Sequence, residues 1–249
     1  MQLNERVAAR RENRLQVRLA ESADDIRRAQ KLRFEVFANE MGALLDSRDQ
    51  GIDTDEYDAL CDHLIVEDPA SGMVVGTYRL LSPQAARRAP RLYSEHEFDL
   101  SRLQHLRDGL IEMGRSCVHK DFRSGAVIAL LWSGLADYVQ RQGGQYLAGC
   151  ASVSLSDGGH QAVSLYRQLE AKHLAPAEWR VFPHLALPLD RIQDDAPPAP
   201  MPALIKGYLR AGAFVCGEPA WDPDFNCADF FMLLPMSRLA AKYNKHFIG

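Results

Sequence analysis

The sequence predicts an α/β or α+β fold, because short apolar runs bounded by turn residues alternate with segments of helical apolar spacing. The clearest signals are an antiparallel hairpin over residues 63–81 and an apolar-faced helix that ends at Gly143 and Gly144. The chain has 249 residues, of which 47% are hydrophobic, so it is long enough to bury a core.

The N-terminal quarter is predicted to hold an arm, a helix and a loop. Residues 1–14 are polar and contain four arginines, which is typical of a flexible basic arm. Ser22 with Asp25 resembles a capping box, and apolar residues follow at spacings of three and four, so we expect a helix over about 23–38. Residues 39–62 are acidic and irregular, which predicts a long loop with room for one helical turn.

The central part is predicted to carry most of the sheet. Strands are expected over 63–67 and 73–81, joined by a turn, and over 110–118, where Gly114 suggests a bulge. The elements expected after them are a helix capped by Ser124, a strand over 146–152, a helix over 160–173 and a short strand over 180–182.

The C-terminal part begins at a proline-rich stretch, 197–202, which should be an extended connector. A helix over 203–211, a strand ending at 229–234 and a helix from Ser237 are expected after it. We interpret residues 15–249 as a single domain on which the extension 202–249 packs.

Composition and motifs exclude several classes. The net charge is −4, which disfavours a nucleic-acid partner, and the longest apolar run has seven residues where a membrane span needs about 20. The charged N-terminus is unlike a signal peptide, so a cytoplasmic location is expected. Five cysteines without a C-x-x-C pair suggest neither disulfides nor a metal site. The chain also lacks Walker, Rossmann, G-x-S-x-G and H-E-x-x-H motifs.

Charged residues at short spacings are the candidates for chemistry. Glu112 and Arg115 would converge if Gly114 forms a bulge, pairing a general base with an orienting charge; a surface salt bridge is equally open. Asp55 and Asp58 would share one side of a helical turn and could receive a cationic amine, although a solvated acidic loop has the same pattern. Arg79 lies among apolar residues and needs an anionic partner, for which Asp55, Asp58 and Glu112 are candidates.

Two positively charged features could bind anions. The segment Arg123, Ser124, Gly125 and Ala126 precedes the strongest helix, where backbone N–H groups would favour a phosphate such as that of phosphopantetheine; a plain strand-loop-helix is the alternative. A cluster of basic residues could dock an acidic partner or anionic lipid, or be ordinary solvated charge. The cluster consists of Arg87, Arg88, Arg91, Arg102, Arg107, Lys120 and Arg123.

Four motifs occur in order: 33–37 (RFEVF), 55–58 (DEYD), 76–81 (GTYRLL) and 112–115 (EMGR). This run resembles the motifs of acyl-homoserine-lactone synthases and their relatives. The resemblance implies the GCN5-related N-acetyltransferase (GNAT) fold, a mixed central sheet flanked by helices with a splay between two central strands. It also implies an acyl-carrier-protein thioester as donor and an amine as acceptor. If the functional residues of that family are transferred to the matching positions, the resemblance implies a site made of Arg33, Phe37, Asp55, Asp58, Arg79, Glu112 and Arg115.

Departures from the lactone synthases point to a related family. Their tryptophan after the Val-Phe pair is missing, since 39–42 reads NEMG, and the chain continues past Pro202. Together with 93–98, this tail is similar to the L-ornithine N-alpha-acyltransferases, over about 15–247. The resemblance implies transfer of a (3-hydroxy)fatty acyl chain from acyl carrier protein to the alpha-amine of L-ornithine, giving lyso-ornithine lipid, with no permanently bound cofactor. The reduced 123–126 loop puts tight acetyl-CoA binding in doubt.

The implied mechanism assigns a role to each residue. Glu112 would take the proton of the amine, and Arg79 and Arg115 complete the catalytic set, with Arg115 engaging the ornithine carboxylate. Asp55 and Asp58 would hold the cationic end of ornithine or fix Arg79. The phosphopantetheine would lie along the splay at Gly114, where backbone N–H groups of Gly114 and Ser116 are candidates to stabilise the oxyanion. Aromatic residues that could line an acyl pocket, or be plain core, are Phe34, Phe37, Phe98, Trp132 and Tyr146.

Three alternatives stay open at this point. The chain could be an acyl-homoserine-lactone synthase, an N-acyltransferase for glycine or another amino acid, or a catalytically silent module that binds acyl carrier protein. The arginines of the N-terminal arm would also permit a peripheral membrane contact by charge attraction.

Overall fold

The structure, a computed structural model, describes residues 14–192 and 199–239. Its residues cluster into two compact units. The first unit comprises residues 14–81 and 113–142, and the second comprises 82–112, 143–192 and 199–239. The expected basic arm lies almost entirely outside the described residues, and the single domain over 15–249 stays a prediction.

Strands and helices are numbered along the described chain. The strands are β1 (Gln16–Leu19), β2 (Asp62–Asp68), β3 (Met73–Leu81), β4 (Phe98–Asp99), β5 (Leu110–Val118), β6 (Tyr146–Ser154), β7 (Phe182–Pro183), β8 (Phe214–Val215), β9 (Ala220–Asp222) and β10 (Cys227–Pro235). The helices are α1 (Ala23–Phe34), α2 (Pro83–Ala86), α3 (Ala126–Gln142), α4 (His160–His173) and α5 (Ala203–Ala211).

The first unit is built on four strands in the order β1-β2-β3-β5. Strands β1 and β2 are antiparallel, and β2 and β3 form the predicted hairpin, with His63 opposite Arg79. Helix α3 packs on one face of this sheet: a side-chain carbon at Gly76 would meet Val127, and one at Gly134 would meet Leu64. Successive residues of a strand point to opposite faces. His63 is one residue from Leu64 and Arg79 is three from Gly76, so both lie on the face away from α3. Helix α1 packs against that face.

Helix α1 begins as predicted, since the Ser22 hydroxyl accepts a hydrogen bond from the Asp25 N–H. It does not continue as α-helix to residue 38. The chain passes directly into a π-helical segment, Glu35–Glu40, in which the consecutive residues Val36, Phe37 and Ala38 are all buried. Single π-turns of this kind are frequent at functional sites. The acidic loop after it holds one 3-10 turn, Arg48–Gln50, in line with the expectation.

The second unit contains both parallel and antiparallel strand pairs. The residues Leu110–Glu112 of β5 pair in parallel with Tyr146–Ala148 of β6, and this registered pairing ends at Glu112. Strand β6 then pairs antiparallel with β10 over nine residues, all of which are buried in β10. Strands β8 and β9 add to β10, and helix α4 packs on β6.

Three sequence expectations about these elements are corrected or limited. The short strand lies at Phe182–Pro183 rather than 180–182, because Ala177–Trp179 forms a 3-10 turn and the Val181 N–H bonds to Cys216. Of the proline connector, residues 197 and 198 lie outside the described residues. The last helix starts at Met236, one residue earlier than expected, and is described to residue 239. Strand β1 and a 3-10 helix, Ser101–Gly109, were not expected.

No helix of the described residues is both long and apolar enough to cross a lipid bilayer.

The contact between β3 and α3 provides a test of the packing. A methyl group at Gly76 would lie 2.4 Å from Cγ1 of Val127, far below van der Waals separation. We expect Gly76→Ala to lower the free energy of unfolding by about 1–3 kcal/mol, as overpacked cores do. Denaturant unfolding measures this change. Gly114→Ala is the control, because nothing lies within 4 Å of its added carbon; equal losses in both variants would contradict the packing.

Candidate functional site

Six charged side chains of the first unit form a closed ring, here called the charge ring. Arginines and aspartates alternate around it, so that every member contacts two members of opposite charge. In order the members are Arg33, Asp58, Arg79, Asp55, Arg115 and Asp53. Each arginine comes from a different element, α1, β3 or β5, while the three aspartates come from one stretch of six residues.

Arg33 is the innermost member, and its side chain is 0% exposed. Its Nη1 and Nη2 donate to the two oxygens of Asp58 at 3.0 and 2.8 Å, which is the bidentate geometry that arginine favours. Its Nε donates to Asp53 Oδ2 at 2.7 Å, and Nη2 also reaches the Asp53 carbonyl at 2.5 Å. Arg33 therefore holds both ends of the acidic segment.

Arg79 joins Asp58 to Asp55 in the ring. Its Nη1 donates to Asp55 Oδ1 at 2.5 Å and to Asp58 Oδ1 at 3.0 Å, and its guanidinium lies 5.7 Å from the centre of the Tyr57 ring. Asp58 also accepts a hydrogen bond from Gln30, at 2.9 Å. The two Asp58 oxygens thus accept four hydrogen bonds, the full capacity of a carboxylate.

The backbone of Arg115 has an unusual conformation. Its φ is 51°, in the left-handed region that non-glycine residues seldom adopt and that clusters at functional sites. Its Nε lies 3.1 Å from Asp53 Oδ2 and its Nη2 lies 3.4 Å from Asp55 Oδ2. Asp55 and Arg115 are the most exposed ring members, at 23% and 12% of their side chains.

The ring is electrically balanced, because three positive and three negative charges meet. Burial raises the pKa of Asp58, but the hydrogen bond and charge of Arg33 and the charge of Arg79 outweigh it, so this pKa lies below its ordinary value. For Arg79, burial lowers the pKa, and the attraction of Asp55 and Asp58 reverses this into a net increase. The ion pairs of Asp58 and Arg79 therefore favour the charged form of both groups.

The structure brings together five of the residues expected at the site: Arg33, Asp55, Asp58, Arg79 and Arg115. The expectation that Arg79 needs anionic partners is met by Asp55 and Asp58. Sequence reasoning missed Asp53, Gln30 and His63 as members of the site. Asp53 precedes Asp55 by two residues and Asp58 by five, but nothing in an acidic loop distinguishes it from its exposed neighbours.

Glu112 lies in the second unit and is 5% exposed. Its two carboxylate oxygens accept the backbone N–H groups of Tyr93 and Ser94, each at 2.7 Å. These contacts anchor the start of a 3-10 turn, Tyr93–His96. Each carboxylate oxygen has two lone pairs, so these two hydrogen bonds occupy half of the four acceptor positions of the carboxylate.

Of the aromatic residues expected to contact the substrate, Phe37 and Phe98 are buried. Phe37 lies in the π-helical segment of the first unit, and Phe98 lies in β4, 5.8 Å from the Phe231 ring. Tyr146 is half-buried and meets the Trp179 ring edge-on at 6.3 Å. Trp132 is half-buried in α3. Their assignment to an acyl pocket stays a prediction.

The expected phosphate loop lies at the start of α3, in the first unit. Arg123, Ser124 and Gly125 are exposed, Ala126 is half-buried, and Gly125 has a φ of 101°. Arg123 pairs with Glu40 of the π-helical segment at 2.6 Å and donates to the Val118 carbonyl at 3.1 Å. Gly114 and Ser116, assigned to the same donor, are half-buried in β5.

The basic cluster is divided between the units. Arg87, Arg88, Arg91 and Arg102 are exposed in the second unit, whereas Lys120 and Arg123 belong to the first. Arg107 is held by Glu95 at 3.2 Å and by the Ala86 carbonyl at 3.0 Å.

One group among the described residues has metal-ligand spacing, although none was expected. Ligand atoms of Asp222, Cys227 and Asp229, all buried in the second unit, lie within 4.8 Å of one another. Asp222 Oδ1 already accepts the N–H groups of Asp224 and Phe225, and Asp229 Oδ1 accepts the Ser152 hydroxyl at 2.6 Å. The group is thus already engaged in local hydrogen bonds.

The chain is similar to characterised proteins over most of its length. The family profile described as "Acetyltransferase (GNAT) domain" matches residues 32–133. An L-ornithine N(alpha)-acyltransferase of Brucella abortus is 36% identical, covering 94% of this chain and 88% of that protein. Another, of Rhodobacter capsulatus, is also 36% identical over 93% and 94% of the two chains. The solved structure of an N-acyl amino acid synthase from uncultured soil microbes has the same fold, with a TM-score of 0.54, 10% identity, and coverage of 92% and 94%.

The charge ring predicts a characteristic acid response. The pKa of Asp58 is lowered on folding, so its pairing stabilises the fold above the ordinary aspartate pKa of about 3.9 and this contribution is lost as pH falls below it. We expect Asp58→Asn to lower the free energy of unfolding by about 3 kcal/mol or more at neutral pH, and the gap to wild type to narrow below about pH 4.

Denaturant unfolding between neutral and acidic pH measures this gap. Asp49→Asn is the matched control, because Asp49 is exposed in the same loop and its loss should change little at any pH. A gap between wild type and Asp58→Asn that stays constant or widens with acid would contradict the paired state of Asp58.

Proposed function

Because the chain belongs to the L-ornithine N(alpha)-acyltransferase family, we propose that it transfers a (3-hydroxy)fatty acyl group from acyl carrier protein to the alpha-amine of L-ornithine. The product of this reaction is a lyso-ornithine lipid, and no permanently bound cofactor is required. One structural observation carries the proposal: the charge ring presents one accessible carboxylate, Asp55, beside one accessible guanidinium, Arg115.

Ornithine matches this pair of charges, since it carries a carboxylate and a second, side-chain ammonium group. We assign the carboxylate to Arg115 and the side-chain ammonium to Asp55. The 3.4 Å contact between Arg115 and Asp55 is the longest in the ring, so it is the least costly to open. Insertion of ornithine would replace one ion pair with two, and once the alpha-ammonium group has lost its proton the bound amino acid adds no net charge to the ring. Asp58, whose oxygens are fully engaged, supports Arg79 rather than the substrate.

The chemistry needs a base and an oxyanion partner. Glu112 is assigned as the base that removes a proton from the alpha-ammonium group. The free amine then attacks the thioester carbonyl, and backbone N–H groups near Gly114 and Ser116 stabilise the oxyanion that forms. The carbon–sulfur bond then breaks, the attacking nitrogen gives up its second proton to become an amide, and the sulfur leaves as a thiol carrying that proton. No covalent intermediate with the enzyme is needed.

The donor is assigned to the start of α3. The phosphopantetheine phosphate would meet the N–H groups of 123–126 and would compete with Glu40 for Arg123. The exposed arginines of the basic cluster suit an acidic carrier protein. The cytoplasmic location and a peripheral membrane contact stay predictions, and the arginines that motivate the latter lie at the N-terminus, almost entirely outside the described residues.

The proposal is tested by the release of free thiol from 3-hydroxyacyl carrier protein, with the corresponding acyl-CoA as a second donor. The acceptors to compare are ornithine, glycine, other amino acids and S-adenosylmethionine. We expect ornithine and the carrier-protein donor to give the fastest release. If ornithine gives no more thiol than buffer, the proposal fails; preference for glycine or S-adenosylmethionine would replace it with the corresponding alternative.

The Asp55 assignment predicts a change in acceptor preference. Asp55→Asn should raise the KM for ornithine by about tenfold or more, because a hydrogen bond to a charged group contributes about 1.5–3 kcal/mol. The KM for glycine, which has no side-chain amine, should change much less. Steady-state kinetics with both acceptors measure this, with Asp49→Asn as the exposed control from the same loop. Parallel changes for the two acceptors would argue against a contact with the side-chain amine.

The Glu112 assignment predicts a loss in kcat of about 100-fold or more for Glu112→Gln, as expected when a general base is removed. The glutamine also disturbs the turn at Tyr93 and Ser94, because its amide NH₂ would face one of their N–H groups. Glu95→Gln is the matched control, since Glu95 accepts the Leu92 N–H of the same turn at 2.5 Å and pairs with Arg107. If both variants lower kcat equally, Glu112 anchors the turn and is not the base.

A further inference from the structure

A buried histidine lies beside the charge ring. His63 lies on β2 opposite Arg79, and the whole residue is 2% exposed. Its Nε2 is 3.1 Å from the backbone carbonyl oxygen of Asp58 and 4.0 Å from the Oδ1 of the same residue. The mechanism described above does not use this side chain.

The protonation state of His63 follows from its contacts. A carbonyl oxygen carries no proton, so Nε2 must carry one and donate it to Asp58. The other nitrogen, Nδ1, is then a lone-pair acceptor, and it is buried without a hydrogen-bond partner in the described part of the chain. Burial lowers the pKa of the imidazole, which favours the neutral ring. A buried acceptor without a hydrogen bond costs free energy, and the hydrogen bond from Nε2 to Asp58 offsets this cost.

The hydrogen bond from His63 Nε2 engages the last polar group of Asp58. The Asp58 side chain accepts hydrogen bonds from Arg33, Arg79 and Gln30, and its backbone N–H donates to the Asp55 carbonyl at 3.2 Å. The Asp58 carbonyl is its remaining polar group, and His63 binds it. The turn from Asp55 to Asp58 is thereby attached to the sheet at its far end.

We propose that His63 is a positioning residue for the acceptor amino acid: in its neutral form, with the proton on Nε2, it holds the Asp55–Asp58 turn so that Asp55 faces the substrate ammonium. The proposal rests on the function proposed for the charge ring. His63 does not touch the substrate in this account, and it acts through the backbone of Asp58.

Two variants separate the effect of the Nε2 donor from the effect of the imidazole group as a whole. His63→Phe removes the Nε2 donor together with the unsatisfied Nδ1, whereas His63→Gln keeps an N–H donor at similar reach. We expect His63→Phe to raise the KM for ornithine about three- to tenfold, the effect of one hydrogen bond, with kcat close to wild type. His63→Gln should restore most of the affinity.

Leu64→Ala is the matched structural control. Leu64 is the next residue of β2 and faces Gly134 of α3, on the sheet face away from the charge ring. It should lower the melting temperature without changing the KM for ornithine, measured well below unfolding. Equal KM values in wild type and His63→Phe, or the same increase in Leu64→Ala, would overturn the proposal.

Two readouts do not depend on turnover. Long-range proton–nitrogen NMR of the imidazole, assigned by the signal lost in His63→Gln, should show a neutral ring protonated at Nε2 at about pH 8. Near pH 6.5 it should show less of the charged form than an ordinary histidine. Amide hydrogen exchange at Asp58 should be faster in His63→Phe than in wild type or Leu64→Ala. A proton on Nδ1, a ring charged at the higher pH, or unchanged exchange would contradict the positioning role. Failure of the wild type to acylate ornithine would instead reject the proposed function.

Discussion

The fully buried guanidinium of Arg33 is the constraint on which the first unit depends. A buried charge without partners is strongly destabilising, so Arg33 requires carboxylates within hydrogen-bond reach. Asp53 and Asp58 meet that requirement only if the loop between them turns back onto α1. The remaining acceptor capacity of these aspartates is then met by Arg79 and Arg115, and Asp55 closes the ring between the two. One buried cation in this way fixes the relative positions of α1, β3, β5 and an otherwise irregular acidic loop.

The ring is uneven in exposure, and this unevenness is what makes it suitable for binding. Its inner half, Arg33, Asp58 and Arg79, is buried, and the Asp58 carboxylate accepts four hydrogen bonds, so this half can act as a rigid support. Its outer half ends in the long Arg115–Asp55 contact, where we propose that the acceptor amino acid inserts. The left-handed backbone at Arg115 directs that guanidinium to the ring. Recognition of the acceptor is thus assigned to the ring, and proton removal to Glu112, which is held separately by two backbone N–H groups.

Much of this arrangement is visible in the sequence, and the reasons are specific. Helix α3 and the hairpin of β2 and β3 follow from apolar periodicity, and Arg79 stands out because it is charged within an apolar strand. The motif run identified the family and five ring members. Asp53 could not be singled out, because several aspartates share its loop and only the fold decides which one meets Arg33. The φ of Arg115, the π-helical turn at Glu35–Glu40 and the contacts of Glu112 likewise depend on tertiary packing that no local pattern encodes.

The central claim is that the six charges act as one closed ring rather than as separate ion pairs. Asp53 and Arg79 lie on opposite sides of it, with Arg33 and Arg115 paired to the former and Asp55 and Asp58 to the latter. A double-mutant cycle with Asp53→Asn and Arg79→Gln, measured by the free energy of unfolding, tests the claim most directly. The double variant is again balanced in charge. If the ring is closed, its loss of unfolding free energy is smaller than the sum of the two single losses by more than about 0.5 kcal/mol. Additive losses would show that the pairs are independent and would contradict the account.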